Sequence, residues 1–269
     1  MSRRFYVIGN PIEHSLSPVI HAAFARETGI PIVYEKRLFA IEDFDGQLQQ
    51  LLKTEKVSGA NVTVPFKTKA YEASRTLSGR ARRAGAVNTL SFRKDGQIVG
   101  DNTDGIGFVR DVKRLYGENL DKAHVLLLGA GGAARGLLAV LPEFVESVTV
   151  ANRTEAKAVS LAREFGVFSC PLEGAYGSSW DIVVNATSAS LNGAVPAVDK
   201  RVLSSASLCY DLMYSRVATP FMQQAQCAGC PNVHDGLGML VEQAAESFRI
   251  WNGIRPTVEP VLFWLRATP

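Results

Sequence analysis

The sequence predicts an α/β protein of two units: a mixed-sheet unit, then one built on a parallel sheet, with the C-terminal helices returning to the first. Three observations carry this expectation. Strand-like and helix-like patterns alternate through the first part of the chain, Lys94-Asp95-Gly96 signals a hairpin that adds antiparallel strands, and the apolar run Val125-Leu-Leu-Leu128 restarts the alternation ahead of a glycine turn. A chain of 269 residues, 46% hydrophobic and 20% charged, is long enough to bury two such cores without disulfides.

Taken in order, Arg4 to Ile8 reads as a strand, Pro18 to Glu27 as a helix capped by Ser17 and stopped by Gly29, and Ile32 to Phe39 as a strand. Glu42 to Lys53 sets Phe44, Leu48, Leu51 and Leu52 on one helical face, and Ala60 to Val64 is a strand ended by Pro65. This βαβαβ order implies parallel pairing. Asn88 to Arg93 and Gln97 to Val99 flank the hairpin turn, and a helix follows from Ile106 to Tyr116.

In the second unit, the strand Val125 to Leu128 leads through glycines to a helix ended near Pro142. A strand Ser147 to Ala151 and a helix Glu155 to Phe165, capped by Thr154 and stopped by Gly166, come next, then buried strands at Asp181 to Val184 and Leu208 to Asp211. Gly238 to Asn252 is an amphipathic helix with Leu240, Val241, Ala244, Ala245, Phe248 and Trp251 apolar. A terminal helix, Val261 to Arg266, must bury its apolar side on a body already built. The expected division is 1–104 with 240–269, and 105–239.

Twenty-nine basic residues against 26 acidic ones leave a net charge of +3, scattered along the chain, which argues against a nucleic-acid partner. The apolar stretch after Arg3 and Arg4 is too short for a signal peptide, and the most apolar stretch, Val125 to Leu141, is broken by Arg135 and four glycines. No membrane association is expected, and a cytoplasmic setting is. Four cysteines make no disulfide framework: Cys227-Ala-Gly-Cys230 has no second pair, Cys170 and Cys209 stand apart in sequence, and His14, His21, His124 and His234 lack the spacing of a ligand set. No metal is expected.

Gly129-Ala130-Gly131-Gly132-Ala133-Ala134-Arg135 sits between a buried strand and a helix, where glycines permit a tight turn and close approach to a dinucleotide pyrophosphate. Ala134 replaces the third glycine of the usual fingerprint. The next strand ends in Asn152-Arg153-Thr154, with Lys157 one turn on. An NAD site carries a carboxylate here; Arg153 and Lys157 would instead pair with a 2′-phosphate, which favours NADP. The plain alternative is a solvated face with Thr154 as a helix cap.

In the first unit, polar clusters stand where strands end. Gly9-Asn-Pro-Ile-Glu-His-Ser15-Leu-Ser17-Pro18 puts two hydroxyls before a helix, Gly59-Ala-Asn61-Val-Thr63-Val-Pro-Phe-Lys67 supplies an amide, a hydroxyl and an amine, and Gly100-Asp-Asn-Thr-Asp104-Gly105 supplies a carboxylate. Singly, each reads as helix capping or a solvated side chain; together they outline a polar substrate pocket at the C-terminal edge of a sheet.

These runs, with Ala84-Gly-Ala-Val-Asn88-Thr89, Asn185-Ala-Thr-Ser188, Tyr210-Asp-Leu-Met-Tyr214 and Asp235-Gly-Leu-Gly-Met-Leu-Val241, resemble those of the shikimate dehydrogenases, in the family's order and over nearly the whole chain. The resemblance implies a substrate domain and a Rossmann-like NADP-binding domain. It also implies reversible, NADPH-dependent reduction of 3-dehydroshikimate to shikimate, with Lys67 and Asp104 as the catalytic pair. Ser15, Ser17, Asn61, Thr63, Asn88, Tyr214 and Gln243 would bind substrate beside them. Gly129, Ala130, Gly131, Gly132 and Ala133 would cradle the pyrophosphate, Asn152, Arg153, Thr154 and Lys157 the 2′-phosphate, and Thr187, Leu212 and Gly236 would approach the nicotinamide.

The chain departs from the family pattern at Gly79, where an acidic residue is frequent, at Leu212, where Met is common, and at Ser190, where Gly is common. The residues leave open a quinate or dual-substrate enzyme of the same fold, a non-catalytic NADP-binding regulator, and redox chemistry at Cys227 and Cys230. They are compatible with a monomer or a homodimer.

Overall fold

A computed structural model describes residues 2–187, 189 and 194–267. The chain divides into two units, residues up to Gly107 together with those from Val241 onward, and Phe108–Leu240. Among the described residues, no helix is long and apolar enough to cross a membrane.

The first unit is built on β1 (Arg3–Gly9), α1 (Ser17–Thr28), β2 (Ile32–Leu38), α2 (Phe44–Thr54), β3 (Val57–Val62), α3 (Lys67–Ala73), β4 (Thr76–Leu77), α4 (Gly79–Ala84), β5 (Thr89–Phe92), β6 (Ile98–Asp101) and the start of α5 (Asp104–Tyr116). Its six strands lie in the order β2-β1-β3-β5-β6-β4. Strand β1 is parallel to both β2 and β3, whereas β5 runs antiparallel to β3 and to β6. The sheet is therefore mixed, and the C-terminal ends of β3 and β6 lie beside the N-terminal end of β5.

Helices cover the sheet because each presents an apolar stripe. Helix α2 buries Phe44, Leu48 and Leu51 with Phe39, Phe66 and Leu90. Elsewhere in the unit Trp251 stacks on Phe5 at 4.5 Å and its indole N–H donates to Leu90 O at 3.0 Å. Each such buried aromatic contributes roughly 1.5–3 kcal/mol by removal from water.

The second unit contains β7 (His124–Leu128), α6 (Gly132–Leu138), β8 (Ser147–Ala151), α7 (Glu155–Phe165), β9 (Phe168–Cys170), β10 (Ile182–Asn185), α8 (Lys200–Ser205), β11 (Leu208–Asp211), α9 (Pro220–Ala228) and β12 (Val233–His234). Its six strands, all parallel, lie in the order β12-β11-β10-β7-β8-β9. Strand β7 thus lies between β8 and β10, the topological switch point of a doubly wound Rossmann-type sheet. Helix α10 (Leu237–Asn252) begins in this unit and ends in the first, to which α11 (Glu259–Ala267) also belongs.

Several expectations need correction. Ser17 is not the cap of α1: the cap position is Leu16, which makes no side-chain cap bond, while Ser15 Oγ accepts from the Ser17 N–H at 3.3 Å. Thr154 holds the cap position of α7 without a side-chain bond; its carbonyl accepts from the Asn152 amide at 2.9 Å. Strand β3 ends at Val62, two residues before the sequence pattern stops, because Phe66 N–H closes a turn on Thr63 O at 3.0 Å. Helix α6 ends at Leu138, before a separate 3₁₀ turn at Leu141–Glu143. Gly29 and Gly166 do stop their helices in left-handed conformation, at φ 68° and 70°.

Candidate functional site

In the first unit the sheet topology brings the polar clusters to one edge. Ser15 and Ser17 follow β1; Asn61 lies in β3, whose end is followed by Thr63 and Lys67; Asn88 precedes β5; Asp104 follows β6. Within the ladder Asn61 pairs with Thr89, and Thr89 with Asp101, so the antiparallel hairpin lays these chain ends side by side. Gly9 is needed for the approach of β1, since a Cβ there would come within 2.5 Å of Thr63 Cγ2.

Lys67 Nζ meets Asp104 Oδ2 at 2.7 Å, with the two side chains 33% and 16% exposed. This half-buried setting makes the pair reachable by a small molecule. Asn88 Nδ2 donates to the other carboxylate oxygen at 2.8 Å. Asn102 Oδ1 accepts from the Asp104 N–H at 3.1 Å and so serves the start of α5, which frees the Asp104 side chain from capping. Gln243 Oε1 lies 3.2 Å from Thr103 Oγ1 and 3.4 Å from Asn88 Nδ2.

Ser15 and Thr63 are half-buried and Ser17 is buried. Asn61 is committed inward: its oxygen accepts from Tyr34 Oη at 2.7 Å, and its nitrogen faces Asn88 O, Thr89 Oγ1 and Ser247 Oγ at 3.0–3.1 Å. Tyr34, Thr89 and Ser247 escaped the sequence reading, because only the strand order reveals that they meet.

In the second unit the residues suit a dinucleotide. Gly129 closes the turn after β7 at φ 111°, and a Cβ there would press on Ala186 and Thr187, so the loops after β7 and β10 meet at the switch point. Gly131 and Gly132 are exposed, and a Cβ on either would meet nothing within 4 Å. Internal packing does not require their bare backbone, which leaves this loop open for a ligand to approach closely. Ala130 and Ala133 flank them, the latter exposed. Ala134 is fully buried, which accounts for a small side chain at that position.

Beyond β8, Asn152 is half-exposed and Arg153, Thr154 and Lys157 are exposed; among the described residues neither cation is paired with a carboxylate. Gly236 N–H donates to Met213 O at 3.1 Å, and a Cβ at 236 would lie 2.2 Å from Leu212 O, so Gly236 and Leu212 are brought together. Buried Asp211 braces this loop by accepting from Asn185 Nδ2 at 3.1 Å, Met213 N–H at 3.1 Å and Thr219 Oγ1 at 2.6 Å. Thr187 Oγ1 donates to Asn185 Oδ1 at 2.7 Å. Burial raises the Tyr214 phenol above its ordinary pKa, so it stays protonated as a donor at neutral pH. Ser188 and Ser190 lie outside the described residues.

The cysteines do not form the site that their spacing suggested. Cys227 is exposed, whereas Cys230 is buried with its thiol beside Cys209, which the sequence had left apart.

A Rossmann-type parallel sheet with an open glycine turn and an unpaired cation pair, in one chain with a mixed-sheet unit carrying a lysine–aspartate pair, defines a dinucleotide-dependent oxidoreductase class. Family models described as the shikimate dehydrogenase substrate binding domain, shikimate/quinate 5-dehydrogenase and the shikimate 5'-dehydrogenase C-terminal domain match residues 7–90, 111–209 and 236–262. The chain belongs to the shikimate dehydrogenase family. It is 49% identical over 273 residues to a shikimate dehydrogenase (NADP(+)) of Nitrosospira multiformis, covering 100% of this chain and 98% of the relative.

Among solved structures, an Ael1 enzyme from Pseudomonas putida superposes with a TM-score of 0.93 at 43% identity, covering 99% of both chains. A shikimate 5-dehydrogenase from Thermus thermophilus in complex with NADP(H) and shikimate gives 0.87 at 35% identity, covering 98% of both.

Proposed function

We infer that the protein catalyses the reversible reduction of 3-dehydroshikimate by NADPH and a proton to shikimate and NADP+, in the cytoplasm. The observation that carries this reading is the 2.7 Å Lys67–Asp104 pair, half-buried and held from behind by Asn88, in a chain with family relatives over its full length.

Bound NADPH supplies the hydride; what the chain must do is orient the substrate and move one proton. Lys67 donates that proton to the carbonyl oxygen in reduction and removes it from the hydroxyl in oxidation. Asp104, fixed by Asn88, holds the ammonium on target and accepts from a ring hydroxyl. The hydroxyls of Ser15 and Ser17 hold the substrate carboxylate, with Thr63, Asn88, Gln243 and Tyr214 as further polar contacts. Gly129 to Ala133 bind the pyrophosphate, and Asn152 to Lys157 the 2′-phosphate. Thr187, Leu212 and Gly236 serve the nicotinamide end.

The test is an absorbance assay of nicotinamide reduction with shikimate or quinate offered against NADP+ or NAD+. Signal dominated by shikimate with NADP+ is expected; dominance of quinate or NAD+ overturns the specificity, and silence in every combination from folded protein overturns the activity.

A further inference from the structure

A hydrogen-bond chain runs through the first unit from a buried phenol to the Lys67–Asp104 pair, and its direction is set by groups that can play only one part. Asn88 Nδ2 lies 2.8 Å from Asp104 Oδ1, an acceptor, while Asn88 Oδ1 lies 2.9 Å from the Thr103 N–H, a donor. These two contacts fix which way the amide points. Asn61 is fixed likewise: its Nδ2 faces the Asn88 carbonyl at 3.1 Å, so its Oδ1 faces Tyr34 Oη, which donates.

Between the two amides stands Thr89. Its Oγ1 accepts from Asn61 Nδ2 at 3.1 Å and donates to Asn88 Oδ1 at 2.8 Å. Ser247 Oγ, 2.8 Å from Thr89 Oγ1, donates to it and so backs the chain without reversing it, with Gln243 O at 3.0 Å as the competing acceptor for the same proton. At the far end the Tyr34 ring is stacked on His21 at 4.1 Å with an 8° tilt. Tyr34, Asn61, Thr89 and Asn88 are all buried, so water does not compete for these bonds. A side chain needed only to fill the space of Thr89 would be Val, which has the same shape and no hydroxyl to satisfy.

Resting on the roles of Lys67 and Asp104 given above, we propose that Thr89 is a positioning residue for the reaction. Its hydroxyl, oriented by Asn61 and Tyr34, joins the Thr103 N–H in holding Asn88 Oδ1, which tightens the amide in the orientation that donates to Asp104 and through Asp104 steadies the Lys67 ammonium. Asn61 then acts as a relay in this chain.

The experiment compares Thr89→Val, Thr89→Ser and Tyr34→Phe with the unaltered enzyme in shikimate oxidation. Thr89→Val lowers kcat by about 5- to 20-fold, the scale of one lost buried hydrogen bond. It leaves the KM for NADP+ unchanged, and Thr89→Ser restores kcat to within about 2-fold. Tyr34→Phe, which touches neither member of the pair, lowers kcat by roughly 2- to 5-fold and carries the test if Thr89→Val does not fold.

A second readout needs no substrate. Reductive methylation of Lys67, followed by peptide mass spectrometry, runs faster in Thr89→Val than in Thr89→Ser, because a loosened Asp104 guards the amine less. Equal losses of kcat in the Val and Ser variants overturn the proposal, as does Thr89→Val turnover within about 2-fold of the unaltered enzyme. If the unaltered enzyme is silent with every substrate while the labelling contrast persists, the functional reading falls and the positioning chain stands.

Discussion

Replacing Lys67 by Met removes the proposed proton donor while keeping much of its aliphatic volume, and the structure sets two magnitudes for the result. The first concerns stability. Asp104 keeps its 2.8 Å bond from Asn88 but loses the ammonium at 2.7 Å, and with a third of the lysine side chain exposed the pair is strongly screened. The loss is therefore on the order of 1 kcal/mol, nearer to a surface pair than to a buried one, or about 2–4 °C in Tm for a chain of this size.

The second magnitude concerns turnover. A positioned acid–base group contributes roughly 10²- to 10⁴-fold, equivalent to about 3–5 kcal/mol of barrier. Stopped-flow or steady-state absorbance with shikimate and NADP+, alongside thermal unfolding of the same preparation, separates the two. We expect kcat to fall by at least about 100-fold with the KM for NADP+ within roughly 3-fold. A kcat within a few-fold of the unaltered enzyme, in a variant that binds NADP+ and melts normally, would remove Lys67 from proton transfer.

Arg153→Ala is expected to cut the preference for NADPH over NADH by about 10- to 100-fold, the scale of one charge-assisted hydrogen bond; an unchanged ratio of kcat/KM values assigns the 2′-phosphate elsewhere. Gly238→Ala is expected to lower Tm by several degrees, since its Cβ would come within 2.1 Å of an Asp111 carboxylate already held by Tyr210 Oη at 2.7 Å and Arg114 at 2.6 Å. A Tm within a degree of the unaltered protein contradicts that packing.

His21 gives the pH dependence. Burial holds its imidazole neutral with a pKa of about 3, against 6.5 for the free side chain, so between those values the unfolded chain takes up a proton that the folded one refuses. This contribution to stability is full above pH 6.5 and lost as pH falls toward 3, by at most about 1.4 kcal/mol per unit. A His21→Leu variant should therefore show a flatter decline in denaturant stability between pH 6.5 and 4, and a parallel decline refutes the neutral buried state.

What the sequence displayed and what it hid follow from how far each residue's partners lie along the chain. Strand β8 and helix α7 have the bounds their patterns indicate, Ser147–Ala151 and Glu155–Phe165, because a buried apolar run and an apolar stripe are local signals. Helix α3 went unread since only Ala70 is buried in it, and α4 and β4 are too short to show a period. Ser17 and Thr154 look like caps by residue type, yet a cap is a geometry, and in both places the hydroxyl makes no such bond.

The site divides along the same line. Lys67 and Asp104 stood out because each is a polar residue beside a chain turn, and Asn88 through the resemblance of its motif, but no local pattern joins them. They meet because β5 runs antiparallel to β3, which lays Thr89 opposite Asn61 in one direction and opposite Asp101 in the other. Reversing that hairpin would leave every motif intact in sequence and scatter the amide, the hydroxyl and the carboxylate. The strand order, more than the motifs, turns a lysine and an aspartate 37 positions apart into a pair 2.7 Å apart, and it assigns Thr89 a reason to carry a hydroxyl in a fully buried position.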